Sequence, residues 1–414
     1  MLGRRVALGL LLSVMVSVFG LAPAQAASST YTTGFTRWRA AEGSFAGWSK
    51  AGVALGTGGV LTLDPATAAV GSDPYAAGAF NGGNFYNGGS FLVGEATGLR
   101  EEPTSGFTEA IASWNAETPE GTWIETLIRA EIAGRWTKWY NLGVWASETG
   151  TVQRHYVNAQ GDADGFVAVD TLVLNGKKAP PATAFQLKVR LFQDRDRVAN
   201  SSVVPTVHAM SVATSTTAVK PSTLVPGNPA LWNRYLEVPE CSQMVYPDGG
   251  EVWCSPTSTS MVLGYWQNAT GACEPRVRAA VNGVYDWLYD GHGNWPFNTA
   301  YVAEQGFEAY VARFTSMAQA ERWIAKGVPV VISFAWKKSS LEGAAIPSSN
   351  GHLAVLVGFD AEGNPIVNDP AAASDADVQR TYNRAELESL WLEHSGGTVY
   401  LIYPQEHVVP DEVL

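Results

Sequence analysis

The chain has 414 residues, 46% of them hydrophobic, enough to bury two cores rather than one. Its formal charge of -12 at pH 7 argues against nucleic acid and anionic lipid as partners. Candidate metal ligands do not cluster in threes anywhere along the sequence, so neither a zinc site nor another cofactor is expected.

Residues 1–26 carry Arg4 and Arg5, an apolar run from Val6 to Leu21, and then Ala24-Gln25-Ala26. That is the pattern of a secretory signal peptide with an A-x-A cleavage site, and the run is short for a full membrane span. Its removal subtracts two arginines and no acids, so the mature charge is -12 - 2 = -14. The expectation is a secreted monomer with no stable membrane insertion after cleavage.

Residues 30–213 read as all-β. Phe185, Leu187, Val189 and Leu191 alternate with Gln186, Lys188 and Arg190, as in a strand buried on one face. Thr122 to Ile132, Trp139 to Ala146 and Val207 to Val212 are further strands, and Asn175-Gly176 after Thr171–Leu174 is a hairpin signal. Turns rich in glycine and asparagine, such as Asn81-Gly82-Gly83-Asn84, separate the earlier strands. Short strands, frequent turns and no helical periodicity predict a β-sandwich of jelly-roll type. Its tryptophans, among them Trp114, Trp123, Trp136, Trp139 and Trp145, fit a sandwich core better than a sugar-binding platform. Asp162-Ala163-Asp164-Gly165 lacks the remaining ligands of a calcium loop and reads as a turn.

Residues 214–230 are small, polar and punctuated by proline, as in an interdomain linker. From 231 to 406 helices and strands mix in an α+β layout. Three cysteines in an exported chain point to one disulfide and one free thiol. Pairing Cys241 with Cys273 leaves Cys254 free; pairing Cys241 with Cys254, or three free thiols, are the alternatives. Cys254 precedes Ser255-Pro256 and the apolar run Met261–Trp266, which places it at the first turn of a buried helix. Unpaired N–H groups and the positive dipole end favour a thiolate there.

Ser316 with Gln319 opens a helix over Met317 to Lys326, and Val328 to Trp336 is a buried strand. Lys337 to Asn350 is a loop placed to form a groove rim before His352, which heads the apolar strand Leu353–Phe359. A second short strand ends in Asn368-Asp369. If the two strands are neighbours, His352 and an acid meet at one end of a sheet. A thiolate nucleophile needs such a base, and the base needs an orienter, either Asp369 or Asn368. His292, in a glycine-flanked loop, is the rival base; His394 lies near the end of the helix capped by Asn383 and needs no catalytic role.

On Val238-Pro239-Glu240-Cys241-Ser242-Gln243, Trp253-Cys254-Ser255-Pro256-Thr257-Ser258, Gly351-His352-Leu353-Ala354-Val355 and Asn368-Asp369-Pro370, residues 236–404 resemble a known family. It is that of the papain-like cysteine peptidases of the bacterial double-glycine-leader (bacteriocin-processing) type, in their secreted actinobacterial form. The resemblance implies a Cys254 nucleophile, a His352 base, an orienting Asp369, and Gln243 as a donor to the oxyanion beside the Cys254 backbone N–H. Many relatives have Cys-Gly-Pro where this chain has Cys254-Ser255-Pro256, and the loop from Gln243 to Cys254 is longer here. The fold expected is therefore a β-sandwich followed by an α+β papain-like domain acting on a peptide or protein. Rival readings are cleavage of cell-wall stem peptides by the same residues, or an inactive surface or carbohydrate-binding protein.

Overall fold

Alternating strands in the first half pair as that pattern demands. In the computed structural model, Thr122–Ile132 and Ala184–Asp194 run antiparallel and are flanked by Tyr140–Trp145 and Ser90–Thr97, with Ser49–Ala51 at the edge. The opposing sheet runs Gly165–Ala168, Thr171–Leu174, Glu109–Glu117, Thr206–Ser215, Leu61–Leu63, Val53–Leu55, and Thr33–Arg39 also pairs with Thr206–Ser215. Residues 31–175, 179–196, 202–221 and 223–410 are described. The expected signal peptide, residues 1–26, lies outside them.

Inward-facing Phe185, Leu187, Val189 and Leu191 join Trp114, Trp145, Leu142 and Met210 in one core between the sheets. Trp114, Trp123 and Trp145 are fully buried, as a core reading requires. Trp136 and Trp139 are half-buried and sandwich the Arg129 guanidinium at 4.5 and 4.7 Å. Thr171–Leu174 pairs with Gly165–Ala168 through a turn at Val169-Asp170, which the sequence did not signal, and Gly176 of the expected Asn175-Gly176 turn lies outside the described residues. Asn175 instead donates its backbone N–H to the Asp164 carbonyl.

Among the described residues the second half has five α-helices: α1 (Cys254–Trp266), α2 (Glu274–Val284), α3 (Trp295–Ala303), α4 (Met317–Ala325) and α5 (Arg384–Ser395). They pack on one antiparallel sheet ordered Phe307–Arg313, Thr398–Pro404, Val330–Trp336, Ser349–Phe359, Pro365–Asn368, Gln379–Thr381. Among the described residues no helix is long and apolar enough to cross a membrane. Asn383 caps α5 through the Glu386 N–H and Gly396 ends it in the left-handed conformation. The expected box on α4 is displaced. Gln319 accepts from the Thr315 N–H at 2.6 Å, and Glu388 of α5 caps the Met317 N–H at 2.8 Å.

The two halves share their interiors. Phe297 and Ala300 of α3 complete the sandwich core, while Ile111 of the sandwich belongs to the core around α1. Buried Arg313 bonds Glu109 and Ser215 across the junction, and the Val311 N–H donates to Ser113 Oγ at 2.9 Å. Glu308 holds Arg39 at 2.7 Å. The described residues from Tyr31 onward accordingly form one compact unit.

Candidate active site

Helix α1 is buried nearly all round, although Ser255, Thr257, Ser258, Thr259 and Ser260 lie in its first two turns. Small hydroxyls allow this because they find partners without reaching water. Ser255 Oγ pairs with the Tyr400 hydroxyl at 2.9 Å, Ser258 donates to the Leu353 carbonyl at 3.1 Å, and Ser260 donates to the Thr257 carbonyl at 2.8 Å. The helix is thus locked against the strand that carries His352. Its first residue is Cys254, preceded by Trp253, whose side chain makes no cap. The first-turn N–H groups are left directed at the sulfur's surroundings.

Cys241 and Cys273 form the disulfide, with Cα atoms 5.7 Å apart, and Cys254 is free and half-buried. The bridge ties the chain before α1 to the start of α2. From it, Ser242 and Gln243 are stitched to the loop after Asp369. The Ser242 N–H donates to Asp375 Oδ1 at 2.7 Å and the Gln243 N–H to the Pro370 carbonyl at 2.8 Å. Gln243 is buried and gives one Nε2 hydrogen to the Gly250 carbonyl at 2.8 Å, which leaves a second. Gly250 is required here: a Cβ would lie 2.0 Å from the Gln243 carbonyl oxygen.

His352 lies on the strand between Val330–Trp336 and Pro365–Asn368. Its ring is held edge-to-face by Phe334 at 5.5 Å and Trp336 at 5.4 Å. Nε2 lies 2.7 Å from Asp369 Oδ1, and the ring also interacts with the Cys254 thiol, which shifts the pKa of both groups. Asp369 is fully buried and accepts two more hydrogen bonds, from the Ala371 N–H at 2.9 Å and the Tyr382 hydroxyl at 2.6 Å. Asn368, one residue earlier, points away and donates to the Val238 carbonyl at 3.0 Å.

Burial alone works against charge at all three positions, and partners reverse it. Desolvation would raise the Cys254 thiol, but the His352 hydrogen bond and charge bring it below its ordinary 9.0. Desolvation would lower His352, but Asp369 and the thiol push it up to about 10. Asp369 is held below the ordinary 3.8 by His352 and Tyr382 despite its burial. All three shifts run toward the charged form: thiolate, imidazolium and carboxylate.

Cys254, Gln243 and His352 line one cavity of about 830 Å³. His292 and His394 also line it. His292 packs against Trp253 at 6.1 Å, and burial drops it to about 4, so it stays neutral. The loop before His352 contributes Ile346, Ser349 and Asn350 to the wall, fastened by the Trp336 Nε1–H to the Ile346 carbonyl at 3.1 Å. Tyr382 was not anticipated from sequence, nor were Val169 and Asp170 of the sandwich, which reach the same cavity. Among the described residues no group of three or more acidic, histidine or cysteine side chains is arranged to hold a metal ion.

A helix-borne thiol, with a histidine on an antiparallel sheet and an acid at the end of the next strand, is an arrangement of the papain-like class. A family described as "Peptidase_C39 like family" matches residues 235–399, and one described as "Peptidase C39 N-terminal domain" matches residues 34–215. The chain belongs to the C39-like peptidase family, in the actinobacterial form that carries this N-terminal domain. No curated protein matches it. Among solved structures, an immunostimulatory antigen and pseudo β-1,3-glucanase of Mycobacterium tuberculosis is 16% identical, covering 37% of this chain and 92% of its own, with a TM-score of 0.16. Carbohydrate-binding modules of the β-sandwich superfamily are 14% identical, covering 44% of this chain and 56% of theirs, also at 0.16. Likeness at that level carries no argument about a ligand.

Proposed function

We propose that the protein is a secreted thiol peptidase in which Cys254, His352 and Asp369 act as nucleophile, base and orienter. The observation that carries this reading is Asp369 Oδ1, 2.7 Å from His352 Nε2, with His352 and the free Cys254 lining one cavity and each shifting the other's pKa. The thiolate attacks a peptide carbonyl carbon, forming a C–S bond. The oxyanion is met by the Cys254 backbone N–H and by the second Nε2 hydrogen of Gln243. As the C–N bond breaks, the His352 imidazolium gives its proton to the leaving amine. Water then gives a proton back to His352 as it attacks the acyl group; the C–S bond breaks, releasing the acid and restoring the thiolate–imidazolium pair. Secretion is supported by a disulfide that persists in oxidising surroundings.

The test is to incubate the full chain with casein, with unstructured peptides and with purified cell-wall sacculi, beside Cys254→Ala. Hydrolysis of any of these by the parent and none by the variant is the expected result, and the substrate cleaved separates general from cell-wall peptides. A parent that cleaves nothing, although iodoacetamide labels Cys254 rapidly, would overturn the hydrolase reading.

A further inference from the structure

The sandwich half closes one side of the cavity that holds the thiol. The turn Val169-Asp170, between strands Gly165–Ala168 and Thr171–Leu174, lines that cavity with Thr171 and Val173. Val169 sits at φ +58°, in the left-handed region, where a β-branched residue is a genuine outlier. Such a backbone persists only where its surroundings enforce it.

Asp170 enforces it. Its side chain is buried, accepting from the Trp295 N–H at 2.8 Å and from the Thr171 hydroxyl at 2.9 Å. Trp295 opens α3, whose first N–H has no partner within the helix, and also lines the cavity. The turn is therefore pinned to the peptidase half. The neighbouring strand Glu109–Glu117 is pinned as well, through Glu109 to Arg313 and Ser113 to the Val311 N–H. A wall fastened at two places is built in, and does not swing as a lid.

We propose that this hairpin is a subsite wall of the peptidase cleft: Val169 is a specificity-determining residue and Asp170 a positioning residue. The proposal rests on the peptidase reading and deepens it to a substrate class. Apolar Val169, Met244, Val252 and Ile346 line the cavity, with Glu251 and Asp290, and among the described residues that line it none is lysine or arginine. That surface takes extended peptides whose side chains beside the cleaved bond are apolar or basic, and disfavours carboxylates.

The experiment uses the full-length protein and a set of peptidyl vinyl sulfones differing in one side chain: alanine, tryptophan, lysine or glutamate. Labelling of Cys254 is followed by mass spectrometry, each rate divided by the same variant's rate with iodoacetamide. The parent is expected to favour the alanine and lysine probes over glutamate by about tenfold or more. Val169→Gly, which relaxes the backbone and clears the wall, is expected to raise the tryptophan-to-alanine ratio about tenfold, and Asp170→Ala to erode the parent's selectivity in the same direction. Parent-like ratios in Val169→Gly overturn the proposal even where Asp170→Ala fails to fold. A parent that treats every peptidyl probe like a non-peptidic vinyl sulfone removes the peptidase reading itself, a different signature.

Discussion

On the peptidase wall of the cleft, buried Asp369 faces a histidine and accepts from Tyr382 and a backbone N–H. On the sandwich wall, buried Asp170 accepts only from a backbone N–H and a threonine hydroxyl, with no cation in hydrogen-bond contact. The outcome is opposite. Asp369 is held below 3.8, whereas burial raises Asp170 to about 6. Burial pushes both carboxyls upward; what decides the outcome is whether a cation touches the carboxylate. The first arrangement suits a group that must stay charged to hold an imidazolium, and the second a group that only has to hold a backbone in place.

The pH dependence of stability separates them. His352 contributes its full share below its ordinary 6.5 and loses it as pH rises through about 10. Asp369 contributes above 3.8 and loses its share as pH falls through its lower folded value. Asp170 runs the other way. The folded protein keeps that proton up to about pH 6 while the unfolded chain releases it near 3.8, so stability falls between those values as pH rises. Asp170→Asn is expected to flatten that slope in denaturant melts, and an unchanged slope would show that Asp170 does not cause it.

The largest expected effect of a single change on the peptidase wall is that of Asp369→Ala, which should lower kcat/KM by about 10⁴-fold, as for loss of an orienting acid elsewhere. A loss of tenfold or less would move that role away from Asp369. Next is Arg313→Ala, which leaves half-buried Glu109 without its cation and empties a buried site, and is expected to cost about 3 kcal/mol in unfolding measurements. If that variant is as stable as the parent, the halves are not held together at this junction. Replacing Cys241 and Cys273 by serine opens a loop of 32 residues and should cost about 3–4 kcal/mol. Smallest is Tyr382→Phe. It removes one hydrogen bond to a charged carboxylate, worth about 1.5–3 kcal/mol, and should lower kcat at least tenfold with KM nearly unchanged. A matched rise in KM instead would assign Tyr382 to substrate binding.

What was legible in the sequence follows from how local each signal is. Cys254 shows because a proline and an apolar run mark a helix start beside it. His352 and Asp369 show because each borders an apolar strand. Tyr382 does not, because it acts only once Gln379–Thr381, a strand of three residues, pairs with Pro365–Asn368 and brings it to the acid. Asp170 and Val169 were hidden for a similar reason. Read separately, the halves give no hint that α3 inserts Phe297 into the sandwich core and brings Trp295 to Asp170. The glycine of Asn175-Gly176 was a stronger turn signal than Val169-Asp170, since nothing local predicts a valine in the left-handed region.

The ion pair at Cys254 and His352 is tested most directly by the rate of iodoacetamide labelling of Cys254 as a function of pH, in the parent and in His352→Ala. Labelling in the parent should already be fast at mildly acidic pH and change little through neutrality, while His352→Ala should require alkaline pH, because burial without the imidazolium pushes the thiol up. Parent labelling that rises only in the alkaline range, along the same curve as His352→Ala, would contradict the ion pair and the chemistry built on it.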